Sequence, residues 1–220
     1  TTPPNPCTSE TLTYDNSTYD LVPIGNRCWF AVNLHTDQFR NGDPISEVIP
    51  NADWVDSCNT KIPALAAAKG LPDEVEELGY LYNLPVVLDE RGICPTGWRV
   101  AYEEDWSYLD SITGENSVQK LLSAPGDPYY NFIFPGTDIY GFNVRLAAGR
   151  RWLDGRFIGI NAFWTGDPLR DRTQYTLPAV VGDNIYRVSS RKLYSSKELY
   201  NSNEGTATAD SSSNVRFGLS

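Results

Sequence analysis

The chain has 220 residues, 40% hydrophobic and 21% charged, enough apolar material for a sizeable core and too much for a disordered segment. Its formal net charge of −10 argues against nucleic acid, whose phosphates demand Lys and Arg, and against adsorption to an anionic membrane surface. No run of about 18 apolar residues occurs, so no membrane span is expected.

Residues 1–10 are rich in Thr and Pro and are expected to form an extended segment ahead of a single domain over residues 11–220. The chain opens without methionine, which suggests a processed chain whose signal segment is gone. Thr11–Tyr14 alternates as a short strand. Tyr19–Ile24 and Arg27–Leu34 flank Gly25-Asn26 and read as a hairpin, with Pro23 marking its first strand as an edge. Residues 39–45 carry consecutive turn signals and read as a surface loop. Ile62–Lys69 favours a short helix on propensity, stopped by Gly70, and Asp73–Tyr82 a second, with its acidic residues at the dipole-favoured end and Pro85 beyond it.

Arg91–Trp106 joins a cysteine, a Pro95-Thr96-Gly97 turn, Trp98 and a helix start, and reads as the hub of a core. The following helix, Tyr102–Ile112, puts Trp106, Leu109 and Ile112 or Thr113 on one stripe, and Gly114 stops it. Ser117–Ala124 gives one more short helix, with Val118, Leu121 and Leu122 inward. From Pro125 onward Gly, Pro, Asn and Asp punctuate short aromatic or β-branched runs at 157–160, 162–164, 184–188 and 215–217, the texture of irregular antiparallel β-structure with long loops. Helices cluster in the middle and strands at both ends. If the terminal strands pair, the chain is a single α+β domain of short central helices packed on that β-structure.

Cys7, Cys28, Cys58 and Cys94 form an even set without a C-x-x-C pair, and His35 is the single histidine. That composition favours two disulfides in an oxidising compartment over a zinc site. No serine-hydrolase elbow, zinc-protease helix or phosphate loop is present. His35 lies on a polar stretch and reads as a surface histidine. Glu103, Glu104 and Asp105 are the obvious carboxylate cluster for glycoside hydrolysis, but a place in the first turn of a helix already accounts for them. Calcium-binding lectin tripeptides and the EF-hand spacing are missing. No catalytic residue, metal or cofactor is expected. Trp152, Phe157, Phe163, Trp164 and Tyr175 are candidate ligand-facing aromatics for a glycan, although core packing competes for them. Asn16-Ser17-Thr18 is an N-glycosylation acceptor triplet, and Ser111, within Asp110-Ser111-Ile112, fits a short bacterial O-glycosylation motif.

Several of these pieces together resemble the Fibrobacter succinogenes major paralogous domain family. They are Ile24–Leu34, Gly79–Asn83, Gly92–Val100 with Trp106, Gly141–Arg150, Phe163–Thr165 and Asn214–Phe217. The resemblance implies a secreted or surface-attached bacterial protein with a C-type-lectin-like fold, similar to that of sulfatase-modifying enzymes. Those enzymes need reactive cysteines late in the fold, and nothing after Cys94 is cysteine. Family members commonly end in Val-Arg-Cys, where this chain has Phe217, so Cys94 lacks its usual partner. The expectation that follows is Cys7–Cys28 and Cys58–Cys94. The function expected is that of a secreted, non-enzymatic structural subunit. Its extended N-terminal segment lies against a neighbouring copy's sheet edge, and repetition of that contact builds an open filament or surface appendage. The alternative is a monomeric lectin-like adhesion or carbohydrate-binding domain.

Overall fold

A computed structural model describes residues 6–130, 135–145, 149–150 and 154–158, together with the backbone of six short strands between residues 162 and 219. β1 (Thr11–Tyr14) and β2 (Ser17–Ile24) form a hairpin whose turn residues Asp15 and Asn16 sit at φ of 52° and 58°. Two consecutive left-handed residues define a type I′ turn, and Asp and Asn tolerate that region better than most. β3 (Arg27–Phe30) follows across Gly25-Asn26, as the sequence indicates. Pro23 does not mark an edge, because β2 lies between β1 and β3. Its ring nitrogen faces the β1 side beyond the Leu21 N–H to Glu10 carbonyl bond that precedes β1, so no ladder bond is forfeited.

Residues 39–45 form a loop, but Phe39 and Ile45 reach into the core instead of staying at the surface. β4 (Ser46–Glu47) and α1 (Asn51–Thr60) follow. The helix expected over 62–69 is instead the strand β5 (Ala64–Ala67), buried along its whole length. Leu65 joins one cluster while Ala64 and Ala66 pack against Trp54 of α1. Burial on two faces outweighs the helix preference of isolated alanines, and small side chains let α1 approach closely. The helix expected over 73–82 is also cut short. A 3₁₀ turn at Pro72–Glu74 leads into α2 (Val75–Leu78), and β6 (Tyr80–Asn83) begins just past Gly79. Gly79 has φ 76° and ψ −179°, and a Cβ there would lie 2.5 Å from Asn33 Cβ, so only glycine fits. Pro85 starts, instead of following, the short helix α3 (Leu84–Leu88), whose cap is the Asn83 side chain.

β7 (Arg99–Val100) precedes α4 (Glu103–Thr113) and α5 (Ser117–Leu121). On α4 Trp106, Leu109 and Thr113 are buried and Ile112 is exposed, which resolves the last stripe position in favour of Thr113. The remaining strands are β8 (Gly149–Arg150), β9 (Phe157–Ile158), β10 (Ala162–Trp164), β11 (Gln174–Thr176), β12 (Ala179–Val181), β13 (Asn184–Tyr186), β14 (Ser212–Ser213) and β15 (Phe217–Leu219).

The terminal strands do pair. β15 inserts between β3 and β7, giving a sheet of order β1-β2-β3-β15-β7. A second sheet runs β14-β6-β5-β4, antiparallel except for the parallel β4–β5 pair. Residues of both sheets meet in one cluster containing Tyr19, Phe30, Leu65, Tyr82 and Trp98. On the opposite face of β3, Trp29 joins Trp106, Leu109, Leu121 and Phe142 in a second cluster under α4 and α5. Helices and small antiparallel or mixed sheets make this an α+β protein.

Candidate functional site

The N-terminal segment is fixed to its own chain from Cys7 onward. Cys7 is bridged to Cys28 of β3, the pairing that the family resemblance implied. Leu12 and Tyr14 pack against the inter-sheet cluster, and the Tyr14 hydroxyl donates to the Ile93 carbonyl at 3.1 Å. Burial pushes the Tyr14 pKa up to about 12, so it stays a neutral donor. At the turn, the Asp15 carboxylate accepts from the Thr36 hydroxyl and the Gln38 amide, anchoring the hairpin tip to the loop after β3. Residues 1–5 lie outside the described residues.

β1 is an end strand, with no strand on its outer side among the described residues. In a two-residue hairpin Tyr14 and Ser17 exchange both backbone bonds, as do Leu12 and Tyr19. The Leu21 N–H to Glu10 carbonyl bond, 2.8 Å, continues that alternation. Thr11 and Thr13 therefore direct their N–H and C=O groups away from β2. Ser9 Oγ donates to the Thr11 carbonyl at 2.7 Å. The other end strands of the two larger sheets, β7, β4 and β14, are two residues long each.

The acidic group at the start of α4 is part of the framework. Asp105 is fully buried and accepts from the Tyr102 N–H at 2.7 Å, closing the first turn of the helix. The same carboxylate is held by the two terminal guanidinium nitrogens of Arg99, Nη1 and Nη2, and lies 3.1 Å from Arg27 Nε. One side chain thus ties α4 to β3 and β7. Glu104 is exposed, and the Glu103 side chain lies outside the described residues. Just before this helix, the Trp98 N–H donates to the Pro95 carbonyl at 3.0 Å, and Gly97 supplies the positive φ of 86° that the turn needs.

His35 is not a surface histidine. Its ring stacks on Tyr19 at 4.5 Å and its Nδ1 lies 3.2 Å from the Asn33 carbonyl, half-buried at the seam between the two sheets. Burial holds its pKa below the ordinary histidine value, although Glu76, Asp15 and Glu77 pull the other way. The expected Cys58–Cys94 bridge is not formed, and both residues carry thiols. They belong to different places: Cys94 is sealed in the inter-sheet cluster, and Cys58 packs beside Trp54 on the far side of β5. Burial raises the Cys94 pKa well above that of an ordinary thiol.

Of the aromatics proposed to face a ligand, Phe157 is 37% exposed. Phe163, Trp164 and Tyr175 lie on the paired strands β10 and β11, whose side chains, like Trp152, lie outside the described residues. Asn16 is exposed at the tip of the first hairpin and Ser111 is exposed on α4. Arg150 is a structural residue that sequence reasoning placed in a motif without a role. It is fully buried, donates to the Gly155 carbonyl at 2.9 Å and the Ile49 carbonyl at 2.7 Å, and lies between the rings of Trp54 and Phe157. An arginine closing a Gly-containing turn was the available signal.

The family model described as the Fibrobacter succinogenes major domain matches residues 22–216. The chain belongs to that family. The match takes in the hairpin after Val22, the whole second sheet and both core clusters' helices, so the Fibrobacter succinogenes major domain comprises most of the fold described above. It begins after β1, the strand that carries the outward-facing threonines. No curated protein and no solved structure matches the chain.

Proposed function

We propose that this chain is a secreted, non-enzymatic structural domain of a bacterial cell surface, with a C-type-lectin-like fold, that self-assembles through the open edge of its first strand, β1. The observation that carries the reading is the outer edge of β1. It is the longest end strand of the two larger sheets, and its four residues include no proline and no charged side chain. Sheet edges of proteins that stay apart are usually shortened, charged or covered, because their open backbone groups template pairing with another chain. The Cys7–Cys28 bridge fits an oxidising extracellular setting. Sedimentation and negative-stain microscopy of the oxidised protein test the reading. Concentration-dependent assemblies are expected, and particles that stay monomeric at every concentration would overturn it.

A second reading, a monomeric glycan-binding adhesion domain, draws on Phe157, an exposed ring that lies against the Arg150 guanidinium. Measurable glycan affinity that disappears in Phe157→Ala, from a protein that does not associate, would favour it.

A further inference from the structure

We infer that two copies of this chain join β1 to β1, antiparallel and about a two-fold axis at Leu12, which specifies the contact on which the proposed self-assembly rests. The hydrogen-bond phase of the hairpin leaves one N–H and one C=O pointing outward on each of Thr11 and Thr13. Within the strand, one antiparallel register uses all of them: Thr11 opposite Thr13 of a second copy, and Thr13 opposite its Thr11. That register forms four inter-chain backbone bonds and sets Leu12 opposite Leu12 as a non-hydrogen-bonded pair on the axis.

The pairing is self-complementary in its side chains as well. Thr11 and Thr13 are exposed on one face and become cross-strand Thr–Thr pairs, while the two Leu12 side chains meet on the face that packs on the core. Beyond the strand, Glu10 falls opposite Tyr14 and Asp15 opposite Ser9, so no like charges oppose each other despite the net charge of −10. The Ser9 hydroxyl already satisfies one lone pair of the Thr11 carbonyl and leaves the other for a second copy.

A proline-rich segment such as the start of the chain suits this edge poorly. Pro3, Pro4 and Pro6 lack the N–H groups that an added strand must donate. A second β1 has them. Because the contact is isologous it closes on itself, so a fibre built on it advances in dimers and needs another contact elsewhere. The paired segment is short, and association in solution is accordingly weak.

The test uses the full oxidised chain with Cys58→Ser to remove the more accessible thiol. Leu12→Cys is expected to give a disulfide-linked dimer on mild oxidation, since a non-hydrogen-bonded pair brings the Cα atoms within bridging distance. Thr11→Cys mixed with Thr13→Cys should give a mixed dimer, and neither should cross-link alone. Thr13→Pro keeps every bond to β2, because the Thr13 N–H points outward, and should weaken association by about tenfold or more while leaving the circular dichroism spectrum intact. A protein that associates but neither cross-links as Leu12→Cys nor responds to Thr13→Pro would overturn this geometry and leave self-assembly standing. A protein that neither associates nor cross-links would overturn both.

Discussion

Replacing Asp105 with asparagine removes one charge and almost no volume from the point where α4 meets β3 and β7. The carboxylate is fully buried and engages Arg99 through two nitrogens, Arg27 at 3.1 Å and the Tyr102 N–H at 2.7 Å. An asparagine oxygen still accepts one bond, but its amide presents donors to guanidinium donors, leaving two cations facing a buried neutral group. Breaking a buried ion pair from one side costs about 3–5 kcal/mol. Both arginine side chains retain some exposure, 24% for Arg99 and 20% for Arg27, so water recovers part of that loss. The expected destabilisation is therefore about 3 kcal/mol, the low end of the range. Urea unfolding followed by tryptophan fluorescence reads it, because Trp106 and Trp29 lie in contact beside the helix. The midpoint should fall with an unchanged slope. Arg99→Gln should cost less than Asp105→Asn, and the double variant should cost much less than the sum of the two. A loss below about 1 kcal/mol, the scale of an exposed pair, would show that Asp105 contributes no more than a surface charge at a helix start.

Three further outcomes are expected. His35 has a folded pKa below its unfolded value, so its contribution to stability is complete above about pH 6.5 and falls as pH drops below that value. Urea midpoints measured at pH 7.5 and pH 5.5 should therefore converge in His35→Gln relative to the parent, and an identical pH dependence in both proteins would refute the assignment. Gly79→Ala combines a backbone region reserved for glycine with a Cβ 2.8 Å from the Leu34 carbonyl oxygen, and should cost about 2–5 kcal/mol. A thermal midpoint within a degree of the parent would contradict it. In native protein Cys58, half-buried, should alkylate while Cys94 stays protected until unfolding; mass spectrometry of peptides after timed iodoacetamide treatment distinguishes the two, and prompt labelling of Cys94 would deny its burial.

Local sequence was enough for the elements whose signals agree with their surroundings. The Gly25-Asn26 hairpin and the Trp106–Leu109 stripe with its Gly114 stop appear where the residues place them, and the Cys7–Cys28 bridge is one half of the pairing that the family resemblance implied. The α+β class and the family resemblance also hold, and the terminal strands, whose pairing the residues left as a condition, do pair. The hairpin, the stripe and the family motifs depend on neighbours close in the chain, on a periodicity, or on a motif, whereas the pairing of β15 with β3 joins opposite ends of the chain.

Where the deciding neighbour is distant, only the tertiary structure could choose. Ala64–Ala67 is a good helix sequence that becomes a strand, because Trp54 on one side and the inter-sheet cluster on the other bury both of its faces. Asp105 resembles any carboxylate in a first helical turn until Arg27 and Arg99 are brought to it from two strands. His35, read from its polar neighbours, belongs at the surface, yet the ring of Tyr19 covers it. The outward groups of Thr11 and Thr13 are likewise invisible in the sequence Thr-Leu-Thr-Tyr. Which face of a strand's backbone is spent depends on the hydrogen-bond phase set by the Asp15-Asn16 turn, and whether the other face is open depends on where the sheet ends.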